Sequence, residues 1–574
     1  MIVGSWRKVS PKLRSALARG GDAGFLVTVV LLSASVYVTQ LGFYSDDWGF
    51  LGALETSDDK SLFGLFASQW DLNANLRMRP TQILYQGTLY SLLGLHPLGY
   101  HIANLLVFTG VVVLLYWTLK ESGIARPYAL SVALIFAVLP SYSTDRFWMA
   151  AFGYSLTLAL FLLSLYADLR AIRSGPGRLL PWKMASLAAL LLAGLGYEVI
   201  LPFALLSPIL VWIRASRIVP GGLKGRLTTL GAVAYIASQY LVVVGVVVFK
   251  VATATGGPDP NYLFHLARLV FGAAATNFGT YLVAFPHTTW WGLRNATPGT
   301  LIVSALIGVV VFGYLSRPSL GSVSHERKLW VRLAGFGVIA FVLGYGLAFL
   351  TGRIGFSSTG ILNRAAIGAA FGLAAVVVGL IGVVSSWGRR PSTRRHLYAG
   401  GIALYCSAST LVVGVLGAYW VAAWPPQEHI LEEIRAAMPE LPSGSTLLLH
   451  GICPYVGPAI VFESYWDLAG ALQVLYRDPT LGADVTGRMT VASEGVSTSL
   501  YGSTTSAFHR FGPRLMLFDA RTSSVVRLTD GSTLSAYLAK HPAPDCGGTP
   551  GQGALMLPMD RLYGTVLDRV ARFR

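Results

Sequence analysis

Along most of the chain, apolar runs alternate with short polar segments, and the runs are too long and continuous for strands or for helices of a soluble core. Residues 25–42, 100–119, 128–140, 151–167, 227–249, 300–315, 329–350, 365–384 and 397–422 each read as one membrane span. The stretches 184–195 and 199–213 lie between basic loops, so an even number of crossings is required there, and two short spans turning near Gly196 are expected. The pattern therefore predicts a polytopic α-helical membrane protein with about 11 transmembrane helices.

The segments between the runs are unequal. Residues 43–81 form a mostly polar loop containing a short amphipathic piece at 61–70, suited to the interface plane. Residues 85–95 are apolar but too short to span, and 250–295 are rich in aromatics and suit a re-entrant or interfacial helix. After Trp424 the pattern changes. Pro425-Pro426 is expected to end the last span, and no comparable apolar run follows. Helix at 430–438, strand at 446–450, helix at 467–476, strands at 514–518 and 525–528, and helix at 534–538 together predict a small α/β domain. The expected division is a transmembrane domain at 1–423 and an extracytoplasmic α/β domain at 424–574.

Composition agrees, with 53% hydrophobic and 12% charged residues and a mean hydropathy of +0.57. The net charge of +17 does not point to nucleic acid, because the basic residues cluster between apolar runs. Arg7, Lys8, Lys12, Arg14 and Arg19 precede the first run without an acid, which places the N-terminus in the cytoplasm. The first apolar run is longer than a signal-peptide core, so it is read as uncleaved. Alternate loops carry most of the remaining Lys and Arg, and the C-terminal domain then falls outside the cytoplasm. Cys453 and Cys546 both lie in that domain, where an oxidising compartment would allow one disulfide; with Cys406 they are too few for a disulfide framework or a Cys-rich metal site.

The candidate chemistry begins at Phe43-Tyr44-Ser45-Asp46-Asp47-Trp48, where two adjacent carboxylates sit beside aromatic rings just beyond the first span. Carboxylates at a bilayer surface are costly unless used, although a solvated loop start beside an aromatic belt has the same composition. One acid can take a proton from a hydroxyl while its neighbour orients a partner or binds a cation. Arg77, Arg79, Arg146, Arg353 and Arg364 fall on the outer side, against the positive-inside bias, where they can snorkel, pair with acids or converge on a lipid phosphate. Glu198 is an acid within an otherwise apolar stretch and is either functional or paired with a buried cation or Tyr. His101 and Asn104, one helical turn apart, fit a helix contact better than a ligand site.

Several of these residues also carry a resemblance. The order Ser45-Asp46-Asp47-Trp48, then Arg77-Met78-Arg79-Pro80, then Leu95-His96-Pro97-Leu98-Gly99-Tyr100-His101-Ile102-Ala103-Asn104-Leu105-Leu106, then Glu198 resembles the front of the GT-C superfamily of integral membrane glycosyltransferases. It looks most like the branch of protein O-mannosyltransferases and bacterial polyprenyl-phosphate-sugar-dependent enzymes. The resemblance implies a catalytic acid in the first outer loop, Asp46 with Asp47 beside it. It also implies a polyprenyl-phosphate sugar donor and inversion at the anomeric carbon. Family members often carry Asp-Glu or Asp-x-Asp where this chain has Asp-Asp, so a divalent cation (Mg or Mn), held by Asp46 and Asp47 if by any residue, stays open. The C-terminal domain matches no family feature.

The expectation is an inverting glycosyltransferase of the bacterial inner membrane that acts on an extracytoplasmic glycan, lipid or protein acceptor. Asp46 and Asp47 are its catalytic candidates; Arg77, Arg79, Arg353 and Arg364 would bind the donor phosphate, with Glu198, His101, Asn104 and Arg146 in support. A transporter or flippase of lipid-linked sugars would spread charge through the spans and show a pseudo-repeat. An O-antigen ligase or polymerase would carry its chemistry on a large late loop.

Overall fold

A computed structural model of the chain describes residues 11–72, 74–219, 221–225, 227–254, 262–351, 356–486, 489–499 and 506–546. The protein is a multi-pass helical membrane protein with a C-terminal domain that contains its strands. Among the described residues, seven helices are long and apolar enough to cross a membrane: Pro97–Ser122, Met149–Ala171, Glu198–Ile218, Thr229–Thr253, Pro298–Leu315, Ile361–Ser385 and Pro391–Ala437. Two bent pairs raise the count to nine if each is one span: Arg126–Val138 with Pro140–Arg146, bent by 62°, and Leu269–Val283 with Phe285–Asn295, bent by 72°. The second pair occupies the aromatic stretch expected to be re-entrant, and its bend follows a π-helical segment at Ala275–Val283.

The other expected spans are helices that fall short on length or composition. Gly20–Ala34 is a shorter apolar helix. Pro176–Gly194 contains Arg178, Pro181 and Lys183, and Arg327–Gly344 opens on Arg327, Lys328 and Arg332.

Two polar layers mark the ends of the bundle. At one end Asp22 binds Arg126 at 2.7 Å and also accepts from Tyr116 and Tyr314. Close by in sequence to Arg126, Glu121 pairs with Arg170 and Arg173. At the other end are the first polar loop, the turn at Gly196 to Glu198 and the segment Ile361–Ala366. The helix pattern therefore gathers the expected outer loops on a common side.

The prolines do not end the last span. Pro391–Ala437 is one helix running through Pro425 and Pro426. Pro removes a backbone donor and normally breaks a helix. Here both flanks are held from outside: Tyr44 Oη donates to Trp420 O at 2.6 Å, and Trp48 Nε1 donates to Gln427 Oε1 at 2.7 Å. Trp48 also stacks on Trp424 at 6.0 Å. Tertiary packing outweighs the local preference, and the membrane helix becomes the first helix of the C-terminal domain.

That domain has a four-stranded sheet in the order Gly482–Val485, Thr446–His450, Leu515–Asp519, Ser524–Arg527; the first three strands are parallel and the last is antiparallel. Leu447, Leu448 and Leu449 are fully buried, the near-continuous apolar run expected of a parallel central strand. The helix Tyr465–Tyr476 makes the crossover between the first two parallel strands. A second, antiparallel sheet joins Met489–Val491, Gly495–Ser499 and Ser506–Arg510. Cys453 and Cys546 form a disulfide, and Cys406 is free and buried.

Candidate active site

The start of the first polar loop is folded and largely buried. After a 3₁₀ turn at Val38–Gln40 the chain enters the helix Asp46–Glu55, which has both acids in its first turn. Carboxylates there are favoured by the helix dipole. Ser45 precedes them with φ +46° and ψ −119°, a backbone conformation rare for a residue with a side chain. Such positions cost about 1–3 kcal/mol and persist where the surroundings enforce them.

The two acids have different roles. Asp47 is fully buried; its Oδ2 accepts from Tyr44 N at 2.9 Å and its Oδ1 from Ala150 N at 2.7 Å. Trp148 Nε1 donates to Tyr44 O at 2.8 Å, so Asp47 and Trp148 stitch the loop to the turn that begins the next helix. Asp47 is thus a clamp on the backbone. Burial pushes its carboxyl well above the ordinary value, against the backbone N–H donors of Tyr44, Ala150 and Met149.

Asp46 is half-buried and faces positive charge. Burial raises its carboxyl too, and the Arg364 guanidinium, the Trp466 indole N–H and Arg79 act in the opposite direction. Arg364 lies in the 3₁₀ turn Ile361–Ala366, beside the Tyr154 phenol, with its guanidinium 4.9 Å from the Trp148 ring. That turn is fixed by Asn363, whose Oδ1 accepts from Thr144 N and whose Nδ2 donates to Ser143 Oγ, and by Thr144 Oγ1 donating to Gly360 O at 2.6 Å.

Arg79 sits 4.0 Å from the centre of the Tyr197 ring, which stacks on Tyr154 at 3.8 Å. Its Nη2 pairs with Glu198 Oε2 at 3.2 Å, and Lys250 Nζ pairs with Glu198 Oε1 at 2.9 Å. Lys250 also donates to the carbonyls of Met78 and Gly196. Glu198 therefore holds two cations at the edge of the site, and the second shares its carboxylate with Arg79.

The C-terminal domain reaches the same place. Glu463 Oε1 accepts from Ser45 Oγ at 2.8 Å and Oε2 from Tyr455 Oη at 2.7 Å. Burial moves the Glu463 carboxyl up to about 7; the two hydroxyl donors oppose that shift and Asp46 adds to it. Asp467 caps the helix Tyr465–Tyr476 in a capping box with Ser464 and accepts from the backbone N–H of Glu463, Ser464 and Leu468.

Of the residues singled out in the sequence, Asp46, Arg79, Arg364 and Glu198 are brought together. Arg77 is exposed and donates to Trp70 O at 3.0 Å, apart from the group around Asp46. Arg353 lies outside the described residues. Arg146 is buried against Phe108 and Tyr142 and donates to Leu139 O. His101 donates from Nε2 to Gly42 O at 2.9 Å, and Asn104 accepts from Tyr85 Oη at 2.9 Å; both brace helices. His101 and Arg146 border one small cavity.

Sequence reasoning misses Glu463, Trp466, Lys250, Tyr154 and Tyr197. Lys250 and Tyr197 carried a signal: a lysine at the outer end of a span, and a tyrosine beside a lone intramembrane acid.

An Asp46-Asp47 cation site does not fit this arrangement, because both Asp47 oxygens already accept backbone N–H groups. Among the described residues, no group of three or more His, Cys, Asp or Glu is placed to hold a metal ion.

No family model matches the chain, and neither does any curated protein. Among solved structures, two crystal structures of ArnT from Cupriavidus metallidurans are similar, one in the apo state and one bound to undecaprenyl phosphate. They are 17% and 16% identical, and each match covers 79% of this chain and 85% of that one, with a TM-score of 0.32 in both cases. Superposition at that score sets no residue correspondence.

Proposed function

We propose that the protein is an inverting glycosyltransferase that moves a sugar from a polyprenyl-phosphate donor to a hydroxyl of an extracytoplasmic acceptor. The observation that carries this reading is the half-buried Asp46 carboxylate facing Arg364 and Arg79 at the loop end of a membrane bundle. A carboxylate serves as general base, and two guanidiniums serve to neutralise a phosphate.

The residues divide the work of a single displacement. The acceptor oxygen attacks the anomeric carbon and loses its proton to Asp46. The bond from that carbon to the phosphate oxygen breaks, and its electron pair leaves with the phosphate, which Arg79 and Arg364 neutralise. One displacement at one carbon inverts its configuration. The upward displacement of the Asp46 carboxyl makes it a stronger base than an ordinary carboxylate. Glu198 and Lys250 fix Arg79, and Asp47 fixes the loop. No cation is assigned a step, because the donor set does not suit one.

A donor anchored in the bilayer fits a site at the end of membrane helices, and an extracytoplasmic site has no cytosolic nucleotide sugar to draw on. The disulfide agrees with an oxidising compartment for the C-terminal domain, and so with a bacterial inner-membrane protein whose N-terminus is cytoplasmic.

The test is transfer by isolated membranes offered a panel of synthetic polyprenyl-phosphate sugars, comparing the unaltered protein with Asp46→Asn. Loss of a general base is expected to lower the rate about 10²–10⁴-fold with the fold intact. Transfer at the unaltered rate by a folded Asp46→Asn protein overturns the reading.

A further inference from the structure

The loop that presents Asp46 is held from the far end of the chain. Ser45 is buried at φ +46°, and its hydroxyl is spent on Glu463, 418 residues away in sequence. The other Glu463 oxygen is fixed by Tyr455, and the Glu463 backbone N–H by Asp467 at 2.7 Å. Glu463 is itself nearly fully buried at 6% exposure, so it cannot swing away without moving its neighbours. The contact continues down the two helices. A Cβ on Gly52 would stand 2.9 Å from Gly470 Cα, and one on Gly470 would stand 2.3 Å from Trp48 O, so the helices Asp46–Glu55 and Tyr465–Tyr476 meet backbone to backbone. At the far end Arg477 Nε pairs with Glu55 Oε1 at 3.2 Å.

Backbone bonds flank the contact between Ser45 and Glu463: Asp47 N donates to Tyr44 O at 3.0 Å and Trp48 N to Ser45 O at 3.1 Å. Asp47 ties Tyr44 to Ala150, and Trp148 binds Tyr44 O, while the Ser45 hydroxyl is held by Glu463. A serine with positive φ returns to its ordinary range unless something opposes it. Its return would rotate the following peptide and swing Asp46 away from Arg364 and Arg79.

We infer that Glu463 is a positioning residue of the active site, through which the C-terminal domain holds Ser45 in its strained conformation and so aims the Asp46 carboxylate. The inference rests on the proposed role of Asp46. The C-terminal domain is then a structural part of the catalytic centre, and the transmembrane bundle alone lacks an aimed base.

Four variants test this in the full-length protein. They are assayed with the member of the polyprenyl-phosphate sugar panel that the unaltered protein turns over, and by hydrogen exchange of residues 43–50. Glu463→Ala is expected to lower kcat about 100-fold with KM for the donor nearly unchanged, and to speed exchange in that segment. Glu463→Gln keeps an oxygen for Ser45 and loses the charge; it is expected to stay within about threefold of the unaltered protein if hydrogen bonding, not charge, is what counts. Glu463→Ala combined with Ser45→Gly is expected to recover about tenfold of the lost kcat, because glycine adopts positive φ freely. Ser45→Ala removes the clasp from the opposite side at little risk to the fold, and is expected to match Glu463→Ala in direction.

Normal kcat in Glu463→Ala and Ser45→Ala overturns the inference. So does loss of activity in Glu463→Gln equal to that in Glu463→Ala, or no recovery in the double variant. Asp46→Asn in the same assay separates the two claims: its activity alone decides whether Asp46 is the base.

Discussion

Asp46 and Asp47 are adjacent, yet removing either charge should have opposite physical consequences. An amide at position 47 turns a donor toward one of two backbone N–H groups, at Tyr44 or Ala150, and leaves that buried donor unpaired. Such a loss costs about 1–3 kcal/mol, so Asp47→Asn is expected to lower the melting temperature in detergent. Asp46→Asn removes a charge that burial already disfavours, and its melting temperature is expected to stay level or rise while transfer is lost. Glu463 adds a pH signature. Its carboxyl stands at about 7 in the folded protein against an ordinary value near 4.5, so its contribution to stability is complete below about pH 4.5 and fades as pH rises through 7. Glu463→Gln is expected to flatten the fall in melting temperature across that window, and an unchanged slope would show that another group titrates there.

At the scale of elements, the crossing of Asp46–Glu55 with Tyr465–Tyr476 depends on Gly52 and Gly470. Gly470→Val puts a branched side chain against the Trp48 carbonyl, and overpacking of this kind costs about 1–3 kcal/mol. The expected result is faster proteolysis between the bundle and the domain together with lowered transfer; resistance equal to that of the unaltered protein would show that the helices separate easily.

This crossing also marks where sequence reasoning stops. The seven long membrane helices were legible because each contains a continuous apolar run, and the parallel strand Thr446–His450 because it is three buried leucines in a row. The strands Met489–Val491, Gly495–Ser499 and Ser506–Arg510 were not, being short and without a sustained apolar alternation. Pro425-Pro426 misled because the grip of Tyr44 and Trp48 on that helix comes from nearly 400 residues earlier. Within the site, Asp46, Arg79, Arg364 and Glu198 announce themselves as charges where the bilayer disfavours them. Glu463 sits in a polar domain where an acid is ordinary, and only the fold brings it to Ser45. Arg77 shows the converse: it shares a motif with Arg79, but two positions along the chain turn it outward to Trp70 O.

For the whole molecule, charged layers lie at opposite ends of the bundle, and the orientation follows from which of them faces out. In the proposed one the Asp46 end is extracytoplasmic and the Asp22 end cytoplasmic. Cysteines introduced at the exposed Ser61 and Ser392 report on it, since Cys406 is buried and the other two cysteines are paired. A membrane-impermeant maleimide is expected to label Ser61→Cys in intact cells, and Ser392→Cys only after lysis; the reverse pattern would place the site in the cytoplasm. The most direct measurement is binding of a short-chain polyprenyl phosphate to the purified protein by native mass spectrometry. The unaltered protein and Arg77→Ala are expected to bind alike, and Arg79→Ala and Arg364→Ala to bind about tenfold or more weaker, as the loss of one charge-assisted contact implies. Equal binding by all four proteins would contradict a phosphate held between Arg79 and Arg364 opposite Asp46.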